Sequence, residues 1–210
     1  MKDWIIYSIG FLAQIIFSGR LLIQWIISEK NKQVTTPSIF WKLSLLASFL
    51  LFIYGYLRND FAIMLGQTIT YIVYIRNLQL QGKWQKSPKW FRLFLYILPI
   101  LVVVYTFNNG KYDIQQLLNN ENIPYWLLVL GIVSQVLFTF RFIYQWMYSE
   151  KKKTSQLPAG FWRLSIVGAF LIIIYALFRE DPVLLIGHGA GLIIYIRNLI
   201  IWKKQINEVA

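Results

Sequence analysis

Two arginines, Arg20 and Arg141, stand inside long apolar stretches, each about eight residues from the end of its stretch, or roughly 12 Å at helical rise. An arginine within a membrane helix costs about 2.5–3.5 kcal/mol at the bilayer centre, so a matched pair needs compensation. No Asp or Glu lies within any apolar stretch to provide it. Glu29 and Glu150 come nine residues later, on the opposite side of a helix and about 13 Å further along its axis. Gln24 and Gln145 follow their arginine by four residues and share its face, while Gln14 and Gln135 fall within about 120° of it. Brought to one chamber, these stripes would offer guanidinium forks and amide donors without a carboxylate, which suits a phosphate or pyrophosphate. The other reading, in which each arginine snorkels to lipid phosphate or helix-end carbonyls and sets depth only, stays open.

Further residues carry weaker chemical meaning. Trp41 and Trp162, each with a Phe before it, a basic residue after it and a Ser three positions on, open two apolar stretches. They read either as interfacial anchors or as stacking platforms for a sugar ring or lipid headgroup. Tyr74, Arg76 and Asn77 close one stretch, and Tyr195, Arg197 and Asn198 close another. They offer ligand contacts, or arginines that merely complement a helix C-terminus. Arg58 with Asp60, and Arg179 with Asp181, fall in short turns as turn-locking ion pairs or a gate. His188, the one histidine, stands opposite Gln67 among glycines and reads first as a packing residue, though one able to titrate near neutral pH. There is no nucleophile with a base, no paired carboxylates, no metal-ligand spacing and no Gly-rich phosphate loop. Catalytic residues, metal and cofactor are therefore not expected, and neither is an enzyme.

The elements that must position these residues are membrane helices. The chain is 57% hydrophobic, 18% aromatic and 14% charged. Its apolar runs, such as residues 91–107 and 161–178, approach the roughly 20 residues needed to cross a bilayer. The formal charge of +12 lies in short segments between these runs rather than on a soluble face, which argues for membrane orientation and anionic headgroups and against nucleic acid. No cysteine is present, so a disulfide scaffold and a thiolate metal site are excluded. The first apolar run has a neutral start and no small-residue cleavage site, and its pattern recurs in mid-chain, so it is expected to be a structural helix rather than a signal peptide.

That recurrence is a duplication. At an offset of 121 residues, Gly10–Leu78 aligns with Gly131–Leu199 without a gap, and 28 of the 69 positions are identical, most of them polar, aromatic or conformationally special. Each unit predicts three spans: Trp4–Ile27, Ile39–Leu57 and Phe61–Leu80, then Tyr125–Tyr148, Gly160–Phe178 and Val183–Trp202. One further span, Trp90–Phe107, links them and lets both units point the same way. The expected fold is all-α, with seven transmembrane helices in a 3+1+3, SWEET-like arrangement of two parallel three-helix repeats. Residues 1–82 form the first repeat, 83–124 the linking helix with an outer connector, and 125–210 the second repeat. Seven crossings put fifteen Lys and Arg on one side and four on the other, so the C-terminus is expected in the cytoplasm and the N-terminus outside.

The pattern Arg20-x3-Gln24-Trp25-x2-Ser28-Glu29, Pro37-x2-Phe40-Trp41-x2-Ser44, Tyr54-x3-Arg58-x-Asp60, Gly66-Gln67 and Tyr74-x-Arg76-Asn77-Leu78, repeated from Arg141 to Leu199, resembles the lipid A biosynthesis N-terminal domain. That module is similar to the PQ-loop and SWEET/semiSWEET transporters, and in some bacterial proteins it precedes a lipid-A-disaccharide synthase domain. The resemblance implies envelope glycolipid metabolism at the bacterial inner membrane. Here two copies stand without a glycosyltransferase portion, so disaccharide synthase activity is not carried over, and without a Pro-Gln dipeptide, which weakens the transfer of a free-sugar mechanism. The leading expectation is a transporter or flippase of a phosphorylated glycolipid or lipid-linked sugar, working by alternating access. Two others remain: a membrane accessory or anchor for a lipid A or polyprenyl-sugar glycosyltransferase, and a SWEET-like uniporter of a free sugar. The expected partners are membrane lipids, the phosphorylated glycolipid and a membrane glycosyltransferase.

Overall fold

A computed structural model describes residues 3–57, 61–90, 92–97, 124–180 and 182–207. Six long helices occupy most of them: α1 (Asp3–Asn31), α2 (Ser38–Leu57), α3 (Phe61–Leu80), α4 (Tyr125–Lys152), α5 (Ala159–Phe178) and α6 (Pro182–Asn207), with a short 3-10 turn at Trp84–Lys86. The expected linking span begins with helical residues 92–97, and its remainder, like the connector up to residue 123, lies outside the described residues. Five helices (α1, α2, α4, α5 and α6) are long and apolar enough to cross a membrane by length and composition. The third expected span, α3, is not among them; Gln67, Thr68, Thr70, Arg76 and Asn77 dilute its apolar character.

The two repeats end and restart their helices in the same way. Lys32 after α1 and Lys153 after α4 both adopt left-handed backbone, with φ of 53° and 54°, and turn the chain out of the helix. Pro37 and Pro158 then precede α2 and α5, where their carbonyls accept the amides of Phe40 and Phe161 at 3.0 Å. Between these points Ser28 Oγ accepts the Thr35 amide at 3.0 Å, and Ser149 Oγ accepts the Gln156 amide at 3.2 Å, so each loop is bonded back onto the helix before it.

Within a repeat, the second helix packs on both of its neighbours; between repeats, α1 packs on α6 and α3 on α4. The six helices therefore form a ring around a common interior. The ring is turned inside out relative to a soluble bundle. Ile15, Ile72, Ile186 and Ile193 are exposed on its outside, whereas Arg20, Gln24, Asn77, Arg141, Gln145 and Asn198 are buried. An apolar exterior with internally bonded polar groups is what a lipid solvent demands.

Close helix approach depends on glycine at a few points. A Cβ on Gly168 of α5 would lie 3.0 Å from the Phe138 Cα of α4, where backbone itself would have to move, whereas one on Gly19 would meet nothing within 4 Å. Overpacking costs about 1–3 kcal/mol, against roughly 1 kcal/mol gained from the better helix propensity of alanine. Gly168→Ala should therefore lower the thermal unfolding midpoint in detergent, and Gly19→Ala should leave it unchanged or raise it.

Candidate functional site

The ring encloses a cavity of about 330 Å³ whose wall includes Arg20, Arg141 and Arg179 and, among the described residues, no Asp or Glu. Arg20 and Arg141 are each only 3% exposed. Each reaches one hydroxyl on the next helix of its own repeat: Arg20 Nη1 donates to Ser44 Oγ, and Arg141 Nη1 to Ser165 Oγ at 3.2 Å. The serines pass this on by donating to the carbonyls of Phe40 and Phe161, at 2.5 and 2.6 Å. The Nε of both arginines is buried without a hydrogen-bond partner.

Aromatic rings take the place of counter-ions. The Arg20 guanidinium carbon lies 4.5 Å from the Phe17 ring centre, 4.7 Å from Phe40 and 5.4 Å from Tyr74. That of Arg141 lies 3.4 Å from Phe138, 5.4 Å from Phe161 and 5.3 Å from Tyr195. One ring serves both: Phe142 is 5.7 Å from the first and 4.7 Å from the second. The two charges therefore share one chamber. A desolvated cation–π contact contributes about 2 kcal/mol, and a hydrogen bond involving a charged group about 1.5–3 kcal/mol. Together these offset the insertion cost of each arginine, about 2.5–3.5 kcal/mol. They do not neutralise it. Neither a ring quadrupole nor a hydroxyl removes the net positive charge from the low-dielectric interior, and an anion would.

Behind the arginines the bundle is closed. Phe40, Trp41, Phe161 and Trp162 are at most 1% exposed, and the rings of Tyr74 and Phe161 stand 5.2 and 5.4 Å from that of Phe142. Trp41 and Trp162, expected as interfacial anchors or as stacking platforms for a sugar ring or headgroup, are buried core residues of this floor; the Trp41 indole donates to Ser155 Oγ at 2.9 Å. Gln24 and Gln145 lie below the cavity rather than in its wall. Gln24 Nε2 donates to Asn198 Oδ1 at 3.0 Å and Gln145 Nε2 to Asn77 Oδ1 at 2.8 Å, each also reaching a loop carbonyl. Arg76 makes a two-pronged pair with Glu150, and Arg197 the same with Glu29, the Nη2 to Oε2 distance being 3.1 Å in both. These four cross-repeat contacts bind α3 to α4 and α6 to α1 at one end. The two glutamates are thus committed to other arginines.

Tyr74 and Tyr195 line the cavity at the level of the arginines, and on the other side of the pair its wall holds Gln14, Gln135 and His188, all expected site residues, and Arg179. The His188 ring meets Phe138 edge to face at 4.6 Å. Arg58, Asp60 and Asp181 lie outside the described residues, so the two turn pairs expected there are not seen. Sequence reasoning missed Phe17 and Phe138, although both are identical in the repeats and stand three residues before an arginine, on its face. It also missed Phe142, for which there was no signal, since its counterpart is Leu21.

Comparison with known proteins gives this geometry a context. The family profile described as Lipid A Biosynthesis N-terminal domain matches residues 9–79 and again residues 130–200. The chain is 32% identical over 213 residues to the lipid-A-disaccharide synthase of Chlamydia felis, covering 96% of this chain and 34% of that protein. It is 30% identical to that of Chlamydia pneumoniae and 26% identical to that of Chlamydia trachomatis serovar D, covering 96% and 95% of this chain and 34% of each relative. The chain thus spans about a third of the length of the curated relatives it matches. No solved structure matches it. The relatives correct one expectation. The chain was expected not to be an enzyme, yet the proteins it matches over almost its whole length bear an enzyme's name.

The cross-repeat contacts differ in exposure, and so in what they contribute. Gln145 is fully buried, and its removal takes away both of its hydrogen bonds to the Asn77 amide, which keeps only Val73 O and Ser155 Oγ, a loss of about 1–3 kcal/mol. Gln145→Ala should therefore lower the unfolding midpoint markedly at any ionic strength. Glu150 and Arg76 keep side-chain exposures of 27% and 39%, so Glu150→Gln should cost less, and its cost should shrink as salt is raised.

Proposed function

The chain belongs to the lipid A biosynthesis N-terminal domain family, and from that premise we propose that it binds the phosphorylated headgroup of a glycolipid within the inner membrane for lipid A disaccharide synthesis. The observation that carries this reading is the pair of buried guanidiniums, each with a free Nε, in a cavity whose wall has no carboxylate among the described residues. A phosphate would accept from both arginines by charge-assisted bonds and neutralise them in a site shielded from water. The names of the relatives support lipid A as the context and a glycosyltransferase as the partner to which the lipid is presented. They lend nothing to alternating-access transport, which the repeat and the resemblance to PQ-loop and SWEET transporters had suggested.

In this proposal residues 1–82 and 125–210 are the two parallel three-helix units, and residues 83–124 supply a linking crossing, giving a 3+1+3, SWEET-like arrangement. The fifteen-to-four asymmetry of Lys and Arg supports a cytoplasmic C-terminus. On that orientation the aromatic floor and the four cross-repeat contacts lie toward the cytoplasm, and Arg179 lies toward the outer face.

Native mass spectrometry of the protein purified from its own membranes tests the assignment. The wild type should retain a phosphorylated glycolipid. Arg20→Gln with Arg141→Gln should reduce its occupancy at least tenfold while the fold is kept, since glutamine retains a polar, hydrogen-bonding side chain without the charge. A folded double variant that retains the same lipid at wild-type occupancy would refute the reading.

A further inference from the structure

Six residues along α1 and α4 from the arginines, about 9 Å at helical rise, a second layer of the cavity is built from neutral polar groups. Gln14 of α1 sits against α6, where a Cβ on Gly187 would come within 3.0 Å of its Oε1. Gln135 of α4 sits against α3, where a Cβ on Gly66 would lie 3.6 Å from its Nε2. The residue after each glycine, His188 and Gln67, also faces the cavity, so four different helices contribute to one layer. It carries no charge. The layer is also where the cavity departs from its own two-fold repeat, because Gln67 and His188 occupy equivalent positions. The Gln67 Oε1 is buried and accepts no hydrogen bond.

The two layers want complementary things. The arginine pair has donors without acceptors, and Gln67 is an acceptor without a donor. A phosphate alone satisfies the first and cannot satisfy the second. A molecule that carries hydroxyl or amino donors one ring away from its phosphate satisfies both. The geometry points to a glycosyl phosphate as the ligand class, bound with its phosphate at Arg20 and Arg141 and its pyranose ring in the glutamine and histidine layer, the ring donating to Gln67. The chemical difference between Gln67 and His188 would then help fix which way a chiral ring lies in a chamber built on a two-fold repeat. This inference rests on the phosphate-binding reading above and adds the sugar as a recognised part of the ligand.

Isothermal titration of the full chain in a sugar-free detergent, with inorganic phosphate, glucose 1-phosphate and glucose as probes, tests it. Glucose 1-phosphate should bind about tenfold more tightly than phosphate, as one or two added hydrogen bonds would provide, and glucose should bind more weakly than either. Gln67→Ala, and separately the shortened Gln67→Asn, should bring the ratio of glucose 1-phosphate to phosphate affinity toward one, with folding checked by thermal unfolding. Phosphate binding without any preference for the sugar phosphate, or a preference that survives both folded variants, would overturn the sugar layer and leave the phosphate reading standing. Glucose binding as tightly as glucose 1-phosphate, or no binding of either phosphate, would overturn both.

Discussion

A positive charge buried in a low-dielectric interior has to be answered by something, and in this chain two such charges meet in one chamber. The acidic groups nearest along the helices cannot answer them. Glu29 and Glu150 lie on the far side of α1 and α4 and pair instead with Arg197 and Arg76 at the repeat interface. What remains around Arg20 and Arg141 is a shell of phenyl and phenol rings and one serine hydroxyl each. Such a shell makes the charges tolerable without cancelling them, and the proposed binding of an anion in the cavity rests on that difference.

The duplication is what allows the arrangement. Each three-helix unit supplies one arginine, its serine and its stacking rings, but the walls are completed across the interface. Gln14 of the first repeat closes on Gly187 of the second, and Gln135 of the second closes on Gly66 of the first. Phe142 stands near both guanidiniums although it belongs to one repeat. The family profile matches both units, so the chain carries within itself the two halves that such a chamber requires. Fusion also lets the halves diverge. Ser155 accepts from the Trp41 indole, whereas its counterpart Val34 cannot accept from Trp162, whose Nε1 has no partner.

The repeat and the helix boundaries were legible because each depends on residue type and spacing alone, and Pro37 and Pro158 mark helix starts wherever they are placed. The arginines were legible only as a choice between a shared chamber and snorkelling to the membrane surface, because spacing along one helix does not say what packs against it; the structure buries both. The positions of Gln24 and Gln145 were not legible. Four residues beyond an arginine is 40° around the helix and about 6 Å along it, which is enough to pass from the cavity wall to the interface with the neighbouring repeat. Trp41 and Trp162 looked interfacial because they open a span; only tertiary packing shows the tyrosines of α3 and α6 closing over them. The enzyme context escaped because it belongs to longer proteins of which this chain matches about a third.

The central claim is that an anionic phosphorus group sits on the guanidiniums inside the bundle. Dipolar recoupling between phosphorus-31 and arginine nitrogen-15, on protein labelled at arginine and purified with its native lipid, measures this directly. The account predicts a phosphorus at hydrogen-bonding range from side-chain nitrogens of both Arg20 and Arg141, assigned by its loss in the single lysine variants. Phosphorus coupling confined to the surface arginines, with none to the buried pair, would contradict it.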